Sequence, residues 1–448
     1  MQLLAACGTT VVISAGMAIP SAHAAVGDRS AGQARLTLAQ IAALPLAAQS
    51  RILDPLRALA AALDTAGKRT EPDTYATVRI DAPHDTVHVA LTDPAQADKL
   101  IQAARKINPR IDTRRVTVDK AAYTLRQLHA ARTQLLAQAA AHKLPYHVYS
   151  VAVATDGSSL QVGVDQPTQA SIRTPMAPAA TGQVQKNLLD GVTVAFQQGY
   201  QARPTDQAQV KWEDSSPQIG GDVLSDGHAD CTAGIPAVKT SDNSPVMITA
   251  NHCFTNGDEV FTEGGTHPAF GAYYTTPRNS VGNYVGTVTG TSPAWDAEEL
   301  TGGKNNADVQ LSDTWHPVTS DAYSYAGDLV CQSGGASYFM GYGNVCGIAV
   351  TNQDITWSST DWSGTHNVRG VEGTRMQSNQ PWAVAEGDSG ALVYTVSGST
   401  YQARGVNSAG VGPCCYSYNG SDVAFNYILW TEAPDILGHF GLKLNPTT

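Results

Sequence analysis

The chain divides near residue 218 into two parts that differ in charge and in composition. A single architecture is therefore not expected to cover both parts. Residues 1–218 carry 21 Lys and Arg against 17 Asp and Glu, whereas residues 219–448 carry 7 against 22. Every cysteine except Cys7 lies in the second part, as do six of the seven tryptophans. The opposite net charges favour association of the two parts, most strongly at low salt. The acidic second part argues against nucleic acid as a partner.

The first part alternates helical and strand patterns, which predicts an α+β domain over residues 25–165. Asp93-Pro94 is typical of a helix N-terminus, and Asp156-Gly157 is typical of a hairpin turn. The predicted hairpins join Tyr75–Ile80 to Thr86–Leu91 and Val148–Val153 to Leu160–Val164, and the predicted helices run over 93–107 and 121–142. Residues 166–218 are rich in Gln, Pro and Thr with weak periodicity, which predicts an accessible linker where processing could occur.

The second part, residues 219–448, is rich in glycine and in short apolar runs between turn residues, which predicts an all-β barrel or sandwich. A helix or extended closing segment is expected only near its end, from Pro434 to about Leu444. Six cysteines confined to this part of the chain predict disulfides rather than a metal site.

The N-terminus resembles a secretory signal peptide, except that no Lys or Arg precedes its apolar stretch. An apolar, small-residue stretch ends in Ser21-Ala22-His23-Ala24, which predicts cleavage after Ala24. Leu4-Ala5-Ala6-Cys7 resembles a lipoprotein cleavage box, but too few residues precede Cys7 to form the apolar segment that such a box needs. No other stretch approaches the ~20 apolar residues of a membrane span. The sequence therefore predicts a secreted, extracellular protein with no membrane partner.

The string Glu386-Gly387-Asp388-Ser389-Gly390-Ala391 has the residue order of a nucleophilic serine on a tight, glycine-flanked turn. A serine hydroxyl attacks only where a neighbouring base removes its proton and amides receive the charge of the tetrahedral intermediate. Gly387 lacks a Cβ, so its N–H and that of Ser389 can converge on one point as an oxyanion hole. Because Gly, Asp and Ser are also ordinary turn residues, the motif needs a base elsewhere in the chain.

A candidate base follows the apolar run Val246-Met247-Ile248, in the string Thr249-Ala250-Asn251-His252-Cys253. A strand end locked by a disulfide would hold His252 still. The two motifs together resemble the Thr-Ala-Xaa-His-Cys and Gly-Asp-Ser-Gly pair of the chymotrypsin-fold serine peptidases, and most of all the secreted bacterial branch of streptogrisin and alpha-lytic protease. The resemblance covers the C-terminal half from Ile219-Gly220-Gly221-Asp222 onward, with the histidine first and the serine last.

This resemblance implies a fold, a reaction and a precursor form. The fold would be two six-stranded antiparallel β-barrels with a short C-terminal helix over residues 219–448. The reaction would be hydrolysis of peptide bonds in protein or peptide substrates, by a monomer that needs no cofactor or metal. The α+β part is similar to the pro-region of the alpha-lytic protease group, which assists folding and then inhibits the enzyme. A separate accessory or binding domain is the alternative for that part.

Two aspartates compete for the third place in a catalytic triad, where an acid fixes the histidine tautomer and stabilises the imidazolium. Asp308 lies in a string that resembles the Asp-Ile-Ala-Leu pattern of animal relatives, whereas Asp296 lies in a longer string, residues 285–297, that resembles the bacterial branch. Only 23 residues separate Asp308 from Cys331, while 35 separate Asp296 from it, which leaves more room for the crossing between barrels. The sequence favours Asp296, with Asp308 as an ordinary surface aspartate.

The segment Ala403–Gly410 resembles the family strand that pairs with bound substrate, and any edge strand is the alternative. Ser408 falls where the family carries a serine near the triad acid. At the position six residues before the nucleophile, where the trypsin-like branch carries an acid, this chain has Ala383, which implies an apolar or small residue before the cleaved bond. The candidate substrate-binding residues are Ala383, Val406, Asn407, Ser408 and Gly410.

The resemblance also implies the disulfides Cys231–Cys253 and Cys331–Cys346. Cys414 and Cys415 are adjacent, and neighbouring Cα atoms lie about 3.8 Å apart, below the usual disulfide range of about 4.4 to 6.8 Å. A bridge between those two would be strained, so a free or intermolecular thiol is the alternative.

One position departs from the family pattern close to the nucleophile. Gln332 stands where relatives often carry an arginine that can neutralise the aspartate before the serine. Asp388 is therefore expected to find another donor, such as Arg375 or a freed N-terminus.

Two other functions compete with the peptidase. A catalytically inactive homologue acting as an extracellular binding or adhesion module would normally lack the serine, the histidine or the oxyanion glycine, and none of the three is lost here. An α/β-hydrolase esterase requires Gly-Xaa-Ser-Xaa-Gly with the histidine last in the chain, whereas His252 comes first and Ala391 replaces the final glycine.

Overall fold

The computed structural model describes residues 35–167, 187–204, 215–263, 281–311, 314–338, 343–376, 382–398, 400–412, 416–418 and 421–446. From Leu36 onward the chain forms one compact unit. The described helices are α1 (Leu38–Ala42), α2 (Leu46–Thr70), α3 (Ala97–Ile107), α4 (Leu125–Ala140), α5 (Gly335–Ser337) and α6 (Ala433–Phe440). None of these helices is long and apolar enough to cross a membrane.

The N-terminal half contains both predicted hairpins. Its strands are β1 (Tyr75–Asp81), β2 (Thr86–Leu91), β3 (Val116–Lys120), β4 (Val148–Val153), β5 (Leu160–Val164), β6 (Asn187–Leu189), β7 (Val192–Gln198) and β8 (Arg203–Pro204). Strand β1 pairs antiparallel with β2, and β4 pairs antiparallel with β5, as predicted. Helix α4 begins at Leu125 rather than at residue 121, because Thr124 caps it and Gln127 completes a capping box.

The region 166–218, predicted to be a weakly periodic linker, contains three strands within its described part. Strand β6 pairs antiparallel with β7, and β7 runs parallel to β5. Strand β8 returns to the C-terminal half of the chain. Strands β6 and β7 form a local hairpin around Asp190-Gly191 that the sequence prediction missed, whereas the other partners, β5 and β24, lie outside this region of the sequence.

The C-terminal half is built almost wholly of strands. They are β9 (Gln218–Gly220), β10 (Val223–Ser225), β11 (Asp230–Thr232), β12 (Ile235–Lys239), β13 (Pro245–Thr249), β14 (Glu259–Glu263), β15 (Val281–Ser292), β16 (Ala297–Thr301), β17 (Asn305–Leu311), β18 (Thr314–Asp321), β19 (Leu329–Gln332), β20 (Val345–Asp361), β21 (Gly364–Arg375), β22 (Val384–Ala385), β23 (Leu392–Ser397), β24 (Thr400–Val411), β25 (Tyr416–Tyr418), β26 (Ser421–Phe425), β27 (Tyr427–Glu432) and β28 (Leu442–Leu444).

These strands form the two predicted six-stranded barrels. The first runs β10, β14, β15, β16, β13, β12, and it closes because β11, paired with β10, continues into β12 across Ala233 and Gly234. The second is a ring of β20, β19, β23, β24, β27 and β21, in which β21 pairs back to β20. The pairs within each ring are antiparallel. The predicted fold class is confirmed.

An apolar core fills the seam between the barrels. Ile235 and Ile248 of the first barrel are fully buried in one cluster with Leu392 and Val406 of the second. Helix α6 adds its apolar face to the same cluster, and the following strand β28 pairs with β12. This seam separates the loops that carry the candidate histidine and serine, so its packing sets their distance.

Both implied disulfides are present. Cys231 is bonded to Cys253 with 6.2 Å between the Cα atoms, and Cys331 is bonded to Cys346. Cys414 and Cys415 lie outside the described residues.

Candidate active site

His252 lies just after β13, where the disulfide from the next residue ties the loop to β11. Its side chain is almost fully buried and is contacted on both sides. The Nδ1 atom lies 2.9 Å from Asp296 Oδ2, and the Nε2 atom lies 2.7 Å from Ser389 Oγ. The structure thus brings the three residues of the predicted triad into one hydrogen-bonded chain.

Asp296 occupies a tight turn between β15 and β16, with a positive φ of 39°. Its carboxylate accepts from the His252 N–H at 3.1 Å and from the Ser408 hydroxyl at 2.5 Å. Burial alone would raise the pKa of Asp296, but the charge and hydrogen bonds of His252, with that of Ser408, hold it below its ordinary value. An ionised carboxylate makes Nδ1 of the imidazole the donor, so Nε2 can accept from Ser389.

Asp308, the competing aspartate, lies in β17, where it pairs with Pro317 of β18. Its N–H donates to the side-chain oxygen of Asn306 at 2.9 Å. The two ring nitrogens of His252 contact Asp296 and Ser389 instead. The geometry therefore agrees with the preference for Asp296, and the roles of both aspartates remain predictions.

The turn that carries Ser389 requires its flanking glycines. Gly387 and Gly390 have φ values of 98° and 86°, a region that residues with a Cβ rarely adopt. A Cβ at Gly390 would lie 2.1 Å from Thr249 Oγ1 and 2.2 Å from the Thr232 carbonyl oxygen, so no larger residue fits. The Ser389 carbonyl accepts from the Thr232 N–H at 2.7 Å, which ties the turn to β11.

The Asp388 carboxylate is fully buried and is held by neutral donors, which corrects the expectation that Arg375 or a freed N-terminus pairs with it. Gln332 Nε2 and the Ala385 N–H each donate at 2.9 Å, while Ser337 donates its N–H at 2.9 Å and its hydroxyl at 2.5 Å. Burial raises the pKa of Asp388, and these hydrogen bonds offset only part of that rise. Gln332 therefore takes the place of the expected arginine with an amide donor instead of a charge.

Strand β24 carries four of the five candidate substrate-binding residues, all of them buried: Val406, Asn407, Ser408 and Gly410. It pairs with β23 on one side and with β27 on the other. At its outer end, β8 runs antiparallel to it, with Ala409 opposite Pro204 and Gly410 opposite Arg203. The segment expected to pair with substrate thus pairs with the chain's own residues 203–204.

The fifth candidate, Ala383, meets β26 at the other wall of the expected primary pocket. The Ala383 N–H donates to the Phe425 carbonyl at 2.7 Å. A Cβ at Gly410 would lie 2.2 Å from ring atom Cδ2 of Phe425, so the ring lies directly against the Gly410 main chain. Sequence reasoning did not indicate that an aromatic ring occupies this space.

One group of possible metal ligands occurs among the described residues: Cys231, His252 and Cys253. Both sulfur atoms are bonded to each other, and the imidazole is engaged by Asp296 and Ser389. These three side chains therefore belong to the disulfide and the triad, and the bonded sulfur atoms are not the thiolates that bind zinc.

The loop before His252 has a support that sequence reasoning missed. Asn251 Nδ2 donates to Asp361 Oδ2 at 3.0 Å, and Trp362 Nε1 donates to the Asn251 carbonyl at 3.1 Å. Both partners lie at the tip of the long β20–β21 hairpin, more than a hundred residues further along the chain. Thr232 and Ser337, which hold the nucleophile turn, were also missed, because a single hydroxyl residue forms no recognisable motif.

No protein-family model matches this chain, and no curated protein sequence matches it. Its structure is similar to that of Nocardiopsis protease, with 21% identity over 51% of this chain and 98% of that one, and a TM-score of 0.35. It is also similar to Thermobifida fusca protease A, with 24% identity over 51% and 98% of the chains and a TM-score of 0.36. It is similar as well to Cellulomonas bogoriensis chymotrypsin, with 25% identity over 51% of this chain and 98% of that one, and a TM-score of 0.35. With TM-scores below 0.5, these are similarities of about half of the chain and no more.

Proposed function

We propose that the chain is the precursor of a secreted serine endopeptidase that acts as a monomer on protein or peptide substrates. One observation carries the proposal: His252 lies between the Asp296 carboxylate, at 2.9 Å, and the Ser389 hydroxyl, at 2.7 Å. These are the distances at which an oriented imidazole can take a proton from a hydroxyl. The order of contacts, acid to Nδ1 and serine to Nε2, is the one that a nucleophilic serine requires.

In the proposed reaction, Ser389 Oγ attacks the carbonyl carbon of the scissile bond while its proton passes to His252 Nε2. The N–H groups of Gly387 and Ser389 stabilise the negative oxygen of the tetrahedral intermediate. The C–N bond then breaks, the imidazolium gives its proton to the leaving amine, and an ester remains on Ser389. Water, deprotonated by the same imidazole, attacks the ester and releases the new carboxylate and the free serine.

Asp296 would keep the imidazole in the productive tautomer and stabilise the imidazolium. Because its pKa lies below the ordinary value of an aspartate, the carboxylate is ionised at neutral pH. The Ser408 hydroxyl donates to the same carboxylate and so helps to orient it toward His252.

The proposal includes an inhibited precursor, in which residues 25–165 act as the pro-domain. Its support is β8, which belongs to the linker after that domain, residues 166–218, and lies along β24 where a substrate strand is expected to bind. Because four hydrogen bonds already hold Asp388, the nucleophile turn needs no freed N-terminus to assemble. Inhibition would therefore come from occupation of the substrate strand and not from a distorted catalytic centre.

Buried ionic contacts hold the N-terminal half in this position. Arg57 Nε lies 2.8 Å and 2.9 Å from the two carboxylate oxygens of Asp328, and Arg132 and His129 each contact the Asp354 carboxylate at 2.5 Å. Burial alone would raise the pKa of Asp354, but the contacts with His129 and Arg132 hold it well below its ordinary value. These contacts join basic residues of the N-terminal half to acidic residues of the C-terminal half. They agree with the association that the opposite net charges of the two halves favour.

Export is supported by the two disulfides, since such bonds persist mainly in oxidising compartments. The candidate signal sequence, residues 1–24, lies outside the described residues. Secretion therefore remains part of the proposal.

The test of the proposed function is self-processing. The wild-type protein is expected to release a mature form whose first residue lies between positions 205 and 218, because β8 ends at Pro204 and β9 begins at Gln218, which is buried and paired with β17. The purified Ser389→Ala precursor is expected to stay intact under the same conditions. N-terminal sequencing and intact mass spectrometry of both proteins measure the result.

Two outcomes would contradict this account. Equal processing of the wild-type and Ser389→Ala precursors, each purified and free of other proteases, would show that the chain does not cleave itself. An intact wild-type precursor with no hydrolysis of casein or peptide anilides would instead favour the alternative, an inactive extracellular binding module.

A further inference from the structure

Asn407 is bound to the nucleophile turn by three hydrogen bonds. Its N–H donates to the Ala391 carbonyl at 2.9 Å, its carbonyl accepts from the Gly390 N–H at 2.8 Å, and its side-chain Nδ2 donates to the Asp388 carbonyl at 2.8 Å. The residue is fully buried. These bonds direct Asn407 toward the turn, whereas the sequence suggested that it lines the substrate pocket.

The side-chain contact acts on the peptide unit between Asp388 and Ser389. In a trans peptide, the carbonyl and the N–H lie in the peptide plane and point in opposite directions. The Asp388 carbonyl is held by two donors, Asn407 Nδ2 and the Ala391 N–H at 3.0 Å. Holding that oxygen on one side fixes the direction of the Ser389 N–H on the other side.

We propose that Asn407 is a positioning residue for the oxyanion hole, an inference that rests on the proposed peptidase function. It acts through the Asp388–Ser389 peptide and aims the Ser389 N–H at the oxygen that becomes negative in the transition state. A donor on the carbonyl also polarises the peptide, which makes its N–H a better hydrogen-bond donor.

The other half of the Asn407 amide supports this role. The Asp388 carbonyl can only accept, so Nδ2 faces it and the amide orientation is defined. The Oδ1 atom is buried and has no hydrogen-bond partner among the described residues. A buried amide with only half of its hydrogen bonds made stabilises the folded protein less than a well-packed apolar side chain does. The donor on the Asp388 carbonyl, and not stability, therefore explains an asparagine at this position.

The test compares transition-state binding with ground-state binding in Asn407→Leu, which keeps the volume but removes the donor, and in Asn407→Ser, which is too short to reach. We expect kcat/KM to fall by about 10- to 100-fold, mainly through kcat, since loss of an entire oxyanion donor costs about 10²- to 10³-fold. Affinity for a peptide boronic acid, which forms a tetrahedral adduct on the serine, is expected to fall in parallel. Affinity for a peptide with a reduced CH₂–NH bond, which has no carbonyl oxygen at that place, is expected to change less than 3-fold.

Asn445→Leu is the matched control. Asn445 is also a buried asparagine, and its Nδ2 donates to the Asn305 carbonyl at 2.9 Å, far along the chain from the nucleophile turn. This variant is expected to lower the melting temperature with kinetics unchanged.

The proposal would be overturned in either of two ways by folded variants: if kcat/KM stays within 3-fold of wild type, or if the boronic acid and the reduced peptide lose affinity by the same factor. Failure of both Asn407 variants to fold would also overturn it, because Asn407 would then be a framework residue. A wild-type enzyme that neither turns over substrate nor binds the boronic acid would instead refute the proposed function, and this inference with it.

Discussion

Replacing Asp296 by asparagine is expected to lower kcat by about 10⁴-fold, whereas Asp308→Asn is expected to leave it within about 2-fold of wild type. The amide introduced by Asp296→Asn would keep the shape of the turn but lose the charge that lies 2.9 Å from His252 Nδ1. An amide can also donate to Nδ1, which favours the tautomer that cannot accept from Ser389. Asp308 lies in β17 with a different set of neighbours, so its charge has no comparable effect on the imidazole.

The two aspartate variants form a matched pair, because each change removes one charge and keeps the side-chain volume. Since the Asp296→Asn precursor is expected to process itself slowly, both variants are matured with a trace of wild-type enzyme, which is then removed. Steady-state kinetics on a peptide anilide gives kcat and KM for each. Full turnover by Asp296→Asn together with loss of turnover in Asp308→Asn would reverse the assignment of the triad acid.

Phe425→Ala is expected to change the primary specificity of the proposed peptidase. We expect wild type to prefer Ala, Ser or Thr before the cleaved bond, because the Phe425 ring lies against Gly410 in the space of the expected pocket. Removing the ring opens a cavity that an aromatic or long aliphatic side chain can fill. One methylene in such a pocket is worth about 10- to 200-fold in kcat/KM, so the ratio of Phe to Ala substrates is expected to rise by at least about 10²-fold.

The measurement is kcat/KM for a series of Ala-Ala-Pro-Xaa anilides that differ only in the residue before the cleaved bond. Phe440→Ala is the control, because Phe440 lies in α6 and packs on the core between the barrels. That variant is expected to be less stable with its preference unchanged. A wild-type enzyme that cleaves mainly after Phe, Lys or Arg, or a Phe425→Ala variant with the wild-type preference, would refute this account of the pocket.

The sequence predicted the parts of this molecule that rest on local patterns. The hairpins of the N-terminal half follow from alternating residues around short turns, and both are present. The strings around His252 and Ser389 predicted a strand end and a tight turn, because each motif includes the residues that shape its own local structure. The two barrels came from the family resemblance, because glycine-rich short strands alone fit a sandwich equally well.

The contacts between distant segments could not be predicted. Sequence reasoning noted only that Gln332 replaces an arginine. In the structure its amide shares the Asp388 carboxylate with donors from Ser337 and Ala385, and no sequence motif joins these residues. Strand β8 has only two residues, and its pairing depends on where the N-terminal half docks. Pairings of this kind depend on the assembled fold, so no local periodicity reports them.

Labelling of Ser389 by a fluorophosphonate tests the central claim most directly. The probe reacts with a serine only when a neighbouring base has activated it. The processed wild-type protein is expected to gain one phosphonyl group on Ser389, located by peptide mass spectrometry, while a Ser389→Ala protein cut at the same position gains none. Equal labelling of both proteins, or labelling of neither after processing has been verified, would contradict the proposal that this chain is an active serine peptidase.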